Sequence, residues 1–320
     1  MNIIRRNRYR LAQLLGCALV IAHLQLTIAC SSDDAVQPES VITVDNYTPN
    51  DFDRWLEANY VNPYNIDFKY RYEEIESDLD YYTVPAPMEA SIQMAHLVKY
   101  LCIESYDEVA GINFTRRNFP KEFFLIGEFE YRNNGTMAAG TAEGGKKIVL
   151  MGLIHLTQFL SNAELLNQYY IKTIHHEFTH ILNQTKNYTT DFNQITGSGY
   201  VADNWSDGVM SDESVYLRRG FISAYAQMEH HEDFAEMVAE YVTHSEDWWQ
   251  AQLEKADGIY DANTQGTLTG RQLLQTKLEI VKAYFETAWD IDLDELRTTV
   301  LRRQADVVAG KVDLNDLTIR

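Results

Sequence analysis

Residues 174–182 read Ile-His-His-Glu-Phe-Thr-His-Ile-Leu and contain the pattern His-Glu-x-x-His. The apolar residues recur at helical rather than strand spacing, which predicts a helix whose apolar face packs inward. Because side chains four positions apart lie on one face of a helix, His176 and His180 would project together. Two such imidazoles can take two positions of a tetrahedral zinc ion, with Glu177 beside the metal's water. His175 would point well away from that face, so we assign it a supporting or structural role.

A pattern this short also arises by chance, and the chain has 9 histidines. The plain alternative is a helix that carries histidines and binds no metal. A metal site needs a third ligand, a second element that presents it, and a suitable compartment. The remainder of the sequence decides between the two interpretations.

A second segment, residues 225–241, carries glutamates at intervals of four: Glu232, Glu236 and Glu240. From Glu232 onward the apolar residues have helical spacing. A carboxylate stripe of this kind is most often the solvated face of a helix. Carboxylate is, however, the usual third ligand of a zinc site with two histidines. We predict Glu232 as that ligand, since Glu236 could then reach back to a histidine ring; Glu229, His231 and Glu236 are the alternatives.

Together the two segments resemble a known family. His-Glu-x-x-His followed about fifty residues later by Tyr-x₆-Glu-x-Phe-Ala-Glu is similar to the gluzincin-type metallopeptidases related to the catalytic domain of anthrax lethal factor. The resemblance covers roughly residues 150–245, and it implies that Glu232 ligates zinc, Glu236 supports the site and Tyr225 faces the reaction centre. The metzincin signature is absent, because Asn183 and Lys186 stand where that signature has glycine and histidine.

The resemblance also implies an α+β, zincin-like fold with a small mixed sheet, an active-site helix and a helical C-terminal lobe. We assign residues 53–320 to one metallohydrolase domain. Its first part, 53–160, reads as a mixed α/β lobe, and 161–320 as a mainly helical lobe whose last helices, from about residue 246, give packing support. The long connection at 184–224 is expected to line or cover the cleft.

Within the first lobe, residues 88–104 read as an amphipathic helix in which Cys102 is buried. Residues 123–126 and 147–152 read as strands, separated by a glycine-rich loop at 133–145. From its position before the metal helix, we expect the strand at 147–151 to form the sheet edge that holds an extended substrate by backbone pairing.

The chemistry follows from an open zinc site. Three protein ligands leave a fourth position for water, whose pKa the metal lowers to about 7. Glu177 would take the proton and deliver it to the leaving amine, while zinc and the Tyr225 hydroxyl stabilise the oxyanion. We therefore expect a metallopeptidase with one Zn²⁺ per chain, acting on peptides or proteins. The alternative is a non-catalytic surface lipoprotein that binds a nutrient or an import partner; Glu177 favours catalysis, because a closed structural site has no use for it.

The N-terminus has the pattern of a secretory signal. Four arginines within residues 5–10 precede an apolar run at 11–29, and Cys30 follows directly. Polar residues interrupt the run, whereas a transmembrane anchor needs about 20 apolar residues. The arrangement resembles a bacterial lipoprotein signal, with residues 1–29 removed and Cys30 lipidated, although Thr27 stands where leucine is usual. The alternative is an ordinary cleaved signal followed by an incidental cysteine.

Residues 31–34 read Ser-Ser-Asp-Asp, which resembles the acidic tag of Bacteroidota lipoproteins exported to the outer face of the outer membrane. The run could equally belong to a solvated tether, which we assign to residues 30–52. With the two motifs, the signal also resembles the substrate import-associated zinc metallohydrolase lipoproteins of Bacteroidota, which are encoded beside import systems. This implies an outer-membrane lipoprotein, exposed on the cell surface and anchored through Cys30, with a TonB-dependent import system as its partner.

The chain is strongly acidic, with a formal net charge of −20. Residues 1–29 carry four arginines and no acidic residue, so the remainder has a charge near −24, which is −20 minus 4. This charge argues against nucleic acid or an anionic membrane surface as an electrostatic partner. Of the 3 cysteines, one leaves with the signal and Cys30 would be acylated. We therefore expect no disulfide framework.

Overall fold

The structure is a computed structural model that describes residues 47–73, 83–131, 137–138, 140–143 and 147–319, with side chains outside 137–143 and 264. The chain divides into two units, Met1–Thr48 and Pro49–Arg320. Only residues 47 and 48 of the first unit are described, and they belong to no helix or strand. The predicted signal peptide, Cys30 and the tether up to residue 46 therefore lie outside the described residues.

The β layer is a small mixed sheet. The described strands are β1 (Asp67–Lys69), β2 (Glu122–Leu125), β3 (Glu130–Tyr131), β4 (Met137–Ala138), β5 (Gly140–Glu143) and β6 (Lys147–Leu150). Four of them form one sheet in the order β1-β2-β6-β5, in which β5 is antiparallel to β6 and the other neighbours are parallel. β3 and β4 form a separate antiparallel pair. The runs Phe-Phe-Leu in β2 and Ile-Val-Leu in β6 are buried on both faces, as is typical of interior parallel strands.

The prediction that residues 147–151 form the free edge of the sheet is wrong. β6 lies inside the sheet, bonded to β2 on one side and to β5 on the other. β5 pairs back onto β6, with Gly140 opposite Leu150 and Glu143 opposite Lys147. β5 lies within residues 133–145, where the glycines and turn residues predict a loop rather than a strand. The outer strand β5 lies against the helix that carries His176.

Helices make up most of the described chain. They are α1 (Asp51–Leu56), α2 (Asn62–Tyr64), α3 (Met88–Leu97), α4 (Glu104–Ala110), α5 (Ile112–Asn118), α6 (Leu156–Phe159), α7 (Ala163–Leu166), α8 (Lys172–Thr185), α9 (Asp191–Ile195), α10 (Glu213–Arg218), α11 (His230–Thr243), α12 (Glu246–Lys255), α13 (Ala262–Gln265), α14 (Gly270–Trp289) and α15 (Leu293–Val308). Three π-helical turns, Glu57–Val61, Val98–Ile103 and Asn167–Ile171, join α1 to α2, α3 to α4 and α7 to α8. Among these described helices, none is both long and apolar enough to span a lipid bilayer.

The inward face of α8 anchors the site to the hydrophobic core. Ile174 and Phe178 are fully buried, and the Phe178 ring packs edge to face on Tyr106 and Phe119 at centroid distances of 4.8 Å. Full burial of each such side chain contributes roughly 1.5–3 kcal/mol to the stability of the fold. Ile181 is only half-buried and faces a cavity. The core therefore holds α8 from one side and leaves the histidine face free to meet another element.

That element is α11, which is itself almost entirely enclosed. Its residues from Asp233 to Thr243 are all buried, and α14 and α15 of the C-terminal segment pack against it. Arg297 of α15 donates to the backbone oxygen of His244 at 2.7 Å, just after α11 ends. The small mixed sheet, the α8 helix and the helical C-terminal part confirm the predicted α+β class.

Candidate metal centre

Two histidines of α8 face the same point. The rings of His176 and His180 lie 4.7 Å apart at an interplanar angle of 82°, and their Nε2 atoms are separated by 3.0 Å. The spacing of four residues produces this arrangement, because one helical turn stacks the two side chains. A metal ion placed between the two rings would bind the deprotonated Nε2 of each.

Glu232, in the first turn of α11, brings a carboxylate oxygen to the same point. Its Oε2 lies 3.0 Å from His176 Nε2 and 3.4 Å from His180 Nε2. Zinc bonds of about 2.0–2.2 Å place tetrahedral ligand atoms about 3.3–3.6 Å apart. The observed separations are close to these distances between ligand atoms. Two imidazoles and one carboxylate are also a donor set that zinc favours. His176, His180 and Glu232 therefore fit a zinc ion.

The electrostatics of the group favour positive charge at its centre. Burial raises the pKa of the Glu232 carboxyl, but hydrogen bonds with His176 and His180 outweigh it and lower that pKa to about 2. Burial lowers the pKa of His176, whereas its hydrogen bonds to Glu232 and Glu236 raise it to about 10. Both shifts have one cause, which is that two carboxylates, Glu232 and Glu236, converge on the His176 imidazole. The same convergence stabilises a bound cation.

Glu236 lies one turn after Glu232 and contacts the other side of the His176 ring. Its Oε1 is 2.8 Å from His176 Nδ1, and its Oε2 accepts a hydrogen bond from the Ser223 hydroxyl at 2.6 Å. Burial raises the pKa of Glu236, but the positive charges and hydrogen bonds of Lys172 and His176 lower it by more than burial raises it. The carboxyl group therefore stays ionised. A carboxylate at Nδ1 keeps the Nε2 lone pair directed at the metal position.

Glu177 follows His176 directly and lies in the wall of the cavity beside the group. Burial raises the pKa of its carboxyl, while the positive charges of His176 and His180 oppose that shift. A carboxylate with raised proton affinity beside a metal position is suited to accept and return a proton.

Tyr225 begins a short 3₁₀ turn, Tyr225–Gln227, just before α11. Its ring lies 6.0 Å from the His176 ring and 5.1 Å from that of Trp205. Burial, and then the negative charges of Glu232 and Glu177, raise the pKa of its hydroxyl above the ordinary value. The phenol therefore keeps its proton and can act as a hydrogen-bond donor.

The remaining candidate ligands lie outside this group. His231 and Glu229 face each other at 3.5 Å in the cavity wall, and His230 Nδ1 lies 2.8 Å from the Tyr188 hydroxyl. His175 is fully buried on another face of α8, where its Nδ1 lies 3.1 Å from the Tyr106 hydroxyl. The structure therefore brings together His176, His180 and Glu232, with Glu236, Glu177 and Tyr225 around them.

Comparison with known proteins identifies the family. A family model described as "putative zinc-binding metallo-peptidase" matches residues 45–294. The chain belongs to this metallo-peptidase family. It is also similar to a solved chain, described as a crystal structure of a "putative zinc-binding metallo-peptidase" from Bacteroides caccae ATCC 43185, with 36% identity and a TM-score of 0.69. The match covers 87% of this chain and 100% of that one. No curated protein matches the chain.

The group formed by His176, His180 and Glu232 borders a cavity of about 760 Å³. Glu177, His180 and Glu232 contribute to its wall, and residues 183–193 supply the amide side chains of Asn183, Gln184, Asn187 and Asn193. The first part of the long connection therefore lines the cleft, as predicted.

Two residues near the group were missed by sequence reasoning. Lys172 lies four residues before His176 and contacts Glu236, and Ser223 lies two residues before Tyr225 and also contacts Glu236. The i, i+4 spacing of Lys172 from His176 was visible and would have placed it on the histidine face. Ser223 carried no such signal, because it stands outside any helix.

Proposed function

We propose that this chain is a zinc-dependent peptidase of the gluzincin type, in which His176, His180 and Glu232 bind one zinc ion. The observation that carries the proposal is the convergence of their three ligand atoms beside Glu177 at the wall of a cavity. Zinc held there supplies Lewis acidity, which lowers the pKa of water to about 7 and polarises a carbonyl oxygen.

Glu177 is the general base of the proposed reaction. Its carboxylate accepts the proton of the water as the water oxygen attacks the carbonyl carbon of the scissile amide. It then delivers that proton to the amide nitrogen, so that the carbon–nitrogen bond breaks and a neutral amine leaves. The burial that raises the Glu177 pKa helps the carboxyl hold the proton between these two steps.

Tyr225 is the proposed hydrogen-bond donor to the substrate carbonyl oxygen. Charge develops on that oxygen during attack, and a donor already in place stabilises the charge without rearrangement. The raised pKa of Tyr225 supports this role, because the hydroxyl remains protonated beside three carboxylates.

The outer strand β5 supports a peptide as the substrate. It lies against α8 and pairs through one side with β6, and in the described sheet it occupies an end position. An extended peptide can add to such an edge through backbone hydrogen bonds. The substrate backbone would then run beside the helix that carries the histidines and Glu177.

The test is proteomic identification of cleavage sites with the purified zinc-loaded chain, compared with Glu177→Gln. We expect chelator-sensitive cleavage of peptide bonds by the wild type and none by the variant. If a broad panel of peptides and proteins is left intact by the zinc-loaded wild type, the peptidase proposal fails and a binding lipoprotein becomes the better description.

We also propose that the chain is an outer-membrane lipoprotein, anchored through Cys30, exposed on the cell surface and associated with a TonB-dependent import system. The support is the signal-like N-terminus and the Ser-Ser-Asp-Asp run that follows Cys30. Fatty-acid labelling should mark the wild type but not Cys30→Ala, and protease added to intact cells should digest the labelled chain. Absence of label on the wild type would leave an ordinary secreted protein.

A further inference from the structure

Behind the group of His176, His180 and Glu232, one face of α8 meets one face of α11, and basic side chains alternate with carboxylates along the contact. Helix α8 contributes Lys172, His176 and His180, and α11 contributes Glu232, Glu236 and Glu240, each set with a spacing of four residues. His180 and His176 contact Glu232, His176 also contacts Glu236, and Lys172 contacts Glu236 and Glu240. As the residue number rises on α8 it falls on α11, so the two helices run antiparallel here.

Lys172, the first residue of α8, stands at the end of the series away from His180, and it bridges two carboxylates. Its Nζ lies 3.1 Å from Glu236 Oε2 and 3.0 Å from Glu240 Oε1. The side chains are largely withdrawn from water, with exposed fractions of 24% for Lys172, 4% for Glu236 and 11% for Glu240. Two buried carboxylates repel each other unless a proton or a cation compensates their charge. The Lys172 ammonium contacts both and supplies that charge, and the His244 ring also contacts Glu240 at 3.2 Å.

The Lys172 bridge is connected to the proposed metal ligand His176 through Glu236. This carboxylate uses Oε1 for His176 Nδ1 and Oε2 for Lys172 and Ser223. Because both oxygens are occupied, the carboxylate plane has one orientation, and the His176 ring is held with it. Loss of the ammonium would leave Ser223 alone on Oε2, with Glu240 repelling Glu236 from one turn away.

We propose that Lys172 is a positioning residue for the zinc ion, which acts by fixing Glu236 and, through it, the His176 imidazole. The inference rests on the proposed zinc function and adds to it a residue that neither touches the metal nor lines the cavity. It assigns Lys172 a role beyond joining α8 to α11.

The test compares Lys172→Met with the wild-type full chain by two readouts, zinc affinity in competition with a chromophoric chelator and the rise in Tm on adding zinc. We expect zinc affinity to fall about 10–100-fold, the usual effect of removing a group that orients a ligand, and the zinc-induced rise in Tm to shrink. Lys172→Arg retains the charge and the donors, and it should recover most of the affinity. Lys255→Met is the matched control, because Lys255 forms an exposed pair with Glu213.

A purely structural role predicts a different result. Lys172→Met would then lower the Tm of the zinc-free and zinc-loaded forms equally and leave zinc affinity at the wild-type value, which would overturn the inference. If Lys172→Met does not fold, Lys172→Gln removes the charge but keeps a donor, and wild-type affinity in that variant would equally overturn it. A wild type that gains no stability from zinc would instead defeat the proposed zinc function itself.

Discussion

At the scale of single residues, Glu177 separates chemistry from metal binding. Glu177→Gln keeps the size of the side chain and removes its ability to accept a proton. We expect kcat/KM on a cleaved peptide to fall about 10²–10⁴-fold, the range for a lost general base, with zinc content unchanged. Glu254→Gln, at an exposed position of α12, is the matched control and should behave as wild type. Retention of wild-type activity by Glu177→Gln would remove this residue from the mechanism.

Substitution of any of the three proposed ligands should reduce zinc content, unlike Glu177→Gln. His176→Ala, His180→Ala and Glu232→Ala each leave two donors around a site that needs three, so zinc should be lost on dialysis. Metal analysis of the dialysed proteins measures this directly. Glu229→Gln is the control, because Glu229 faces His231 rather than the group, and it should retain zinc. Loss of zinc from Glu229→Gln but not from Glu232→Ala would move the third ligand to Glu229.

Tyr225→Phe tests the hydrogen-bond donor. The substitution removes the hydroxyl and retains the ring that contacts Trp205 and His176. We expect kcat to fall about 10²-fold, as when one donor to a developing oxyanion is removed, with little change in KM because the donor acts mainly in the transition state. Steady-state kinetics of the zinc-loaded variant provide both constants. A rise in KM at constant kcat would indicate a substrate-binding role instead.

At the scale of elements, α11 depends on a buried ion pair with α14. Asp233 Oδ2 lies 2.5 Å from Lys277 Nζ, both side chains are fully buried, and Lys277 also donates to the Gly220 carbonyl at 2.7 Å. Lys277→Met removes the charged partner of the buried Asp233 carboxylate and leaves the Tyr200 hydroxyl, which donates to Oδ2 at 2.8 Å. We expect the free energy of unfolding in urea to fall by about 3–5 kcal/mol.

The exposed pair of Lys255 and Glu213 is the control for this loss. Lys255→Met should change the free energy of unfolding by at most about 1 kcal/mol. The double variant Asp233→Asn with Lys277→Met should be more stable than Lys277→Met alone, since it buries no unpaired charge. Equal losses for Lys277→Met and Lys255→Met would show that burial of the pair adds nothing.

At the scale of the whole molecule, zinc should stabilise the fold. Its proposed ligands come from α8 and α11, which are both packed into the core, so unfolding would separate them and release the metal. At free zinc 1,000 times its Kd, linkage adds about 4 kcal/mol to the free energy of unfolding. Chelation should therefore lower Tm and abolish cleavage, and added zinc should restore both. An unchanged Tm would mean that the folded chain does not bind zinc selectively.

Much of the fold and of the candidate site could be predicted because it depends on local periodicity. Spacings of four placed His176 with His180, and Glu232 with Glu236, on single helix faces, and the helix around Cys102 was recognised in the same way. Apolar runs located β2 and β6. These features follow from backbone geometry over a few residues, which any stretch of sequence carries within itself.

Only the tertiary structure decided which faces meet. It put Glu236 on His176 Nδ1 and Lys172 between two carboxylates, and it placed β6 inside the sheet with β5 at its edge. Such pairings join segments tens of residues apart, and they depend on how all the buried faces fill one core together. The local spacing of residues carries no information on that competition. The two helices of the proposed ligands could therefore be predicted from the sequence, whereas the edge strand and the Lys172 bridge could not.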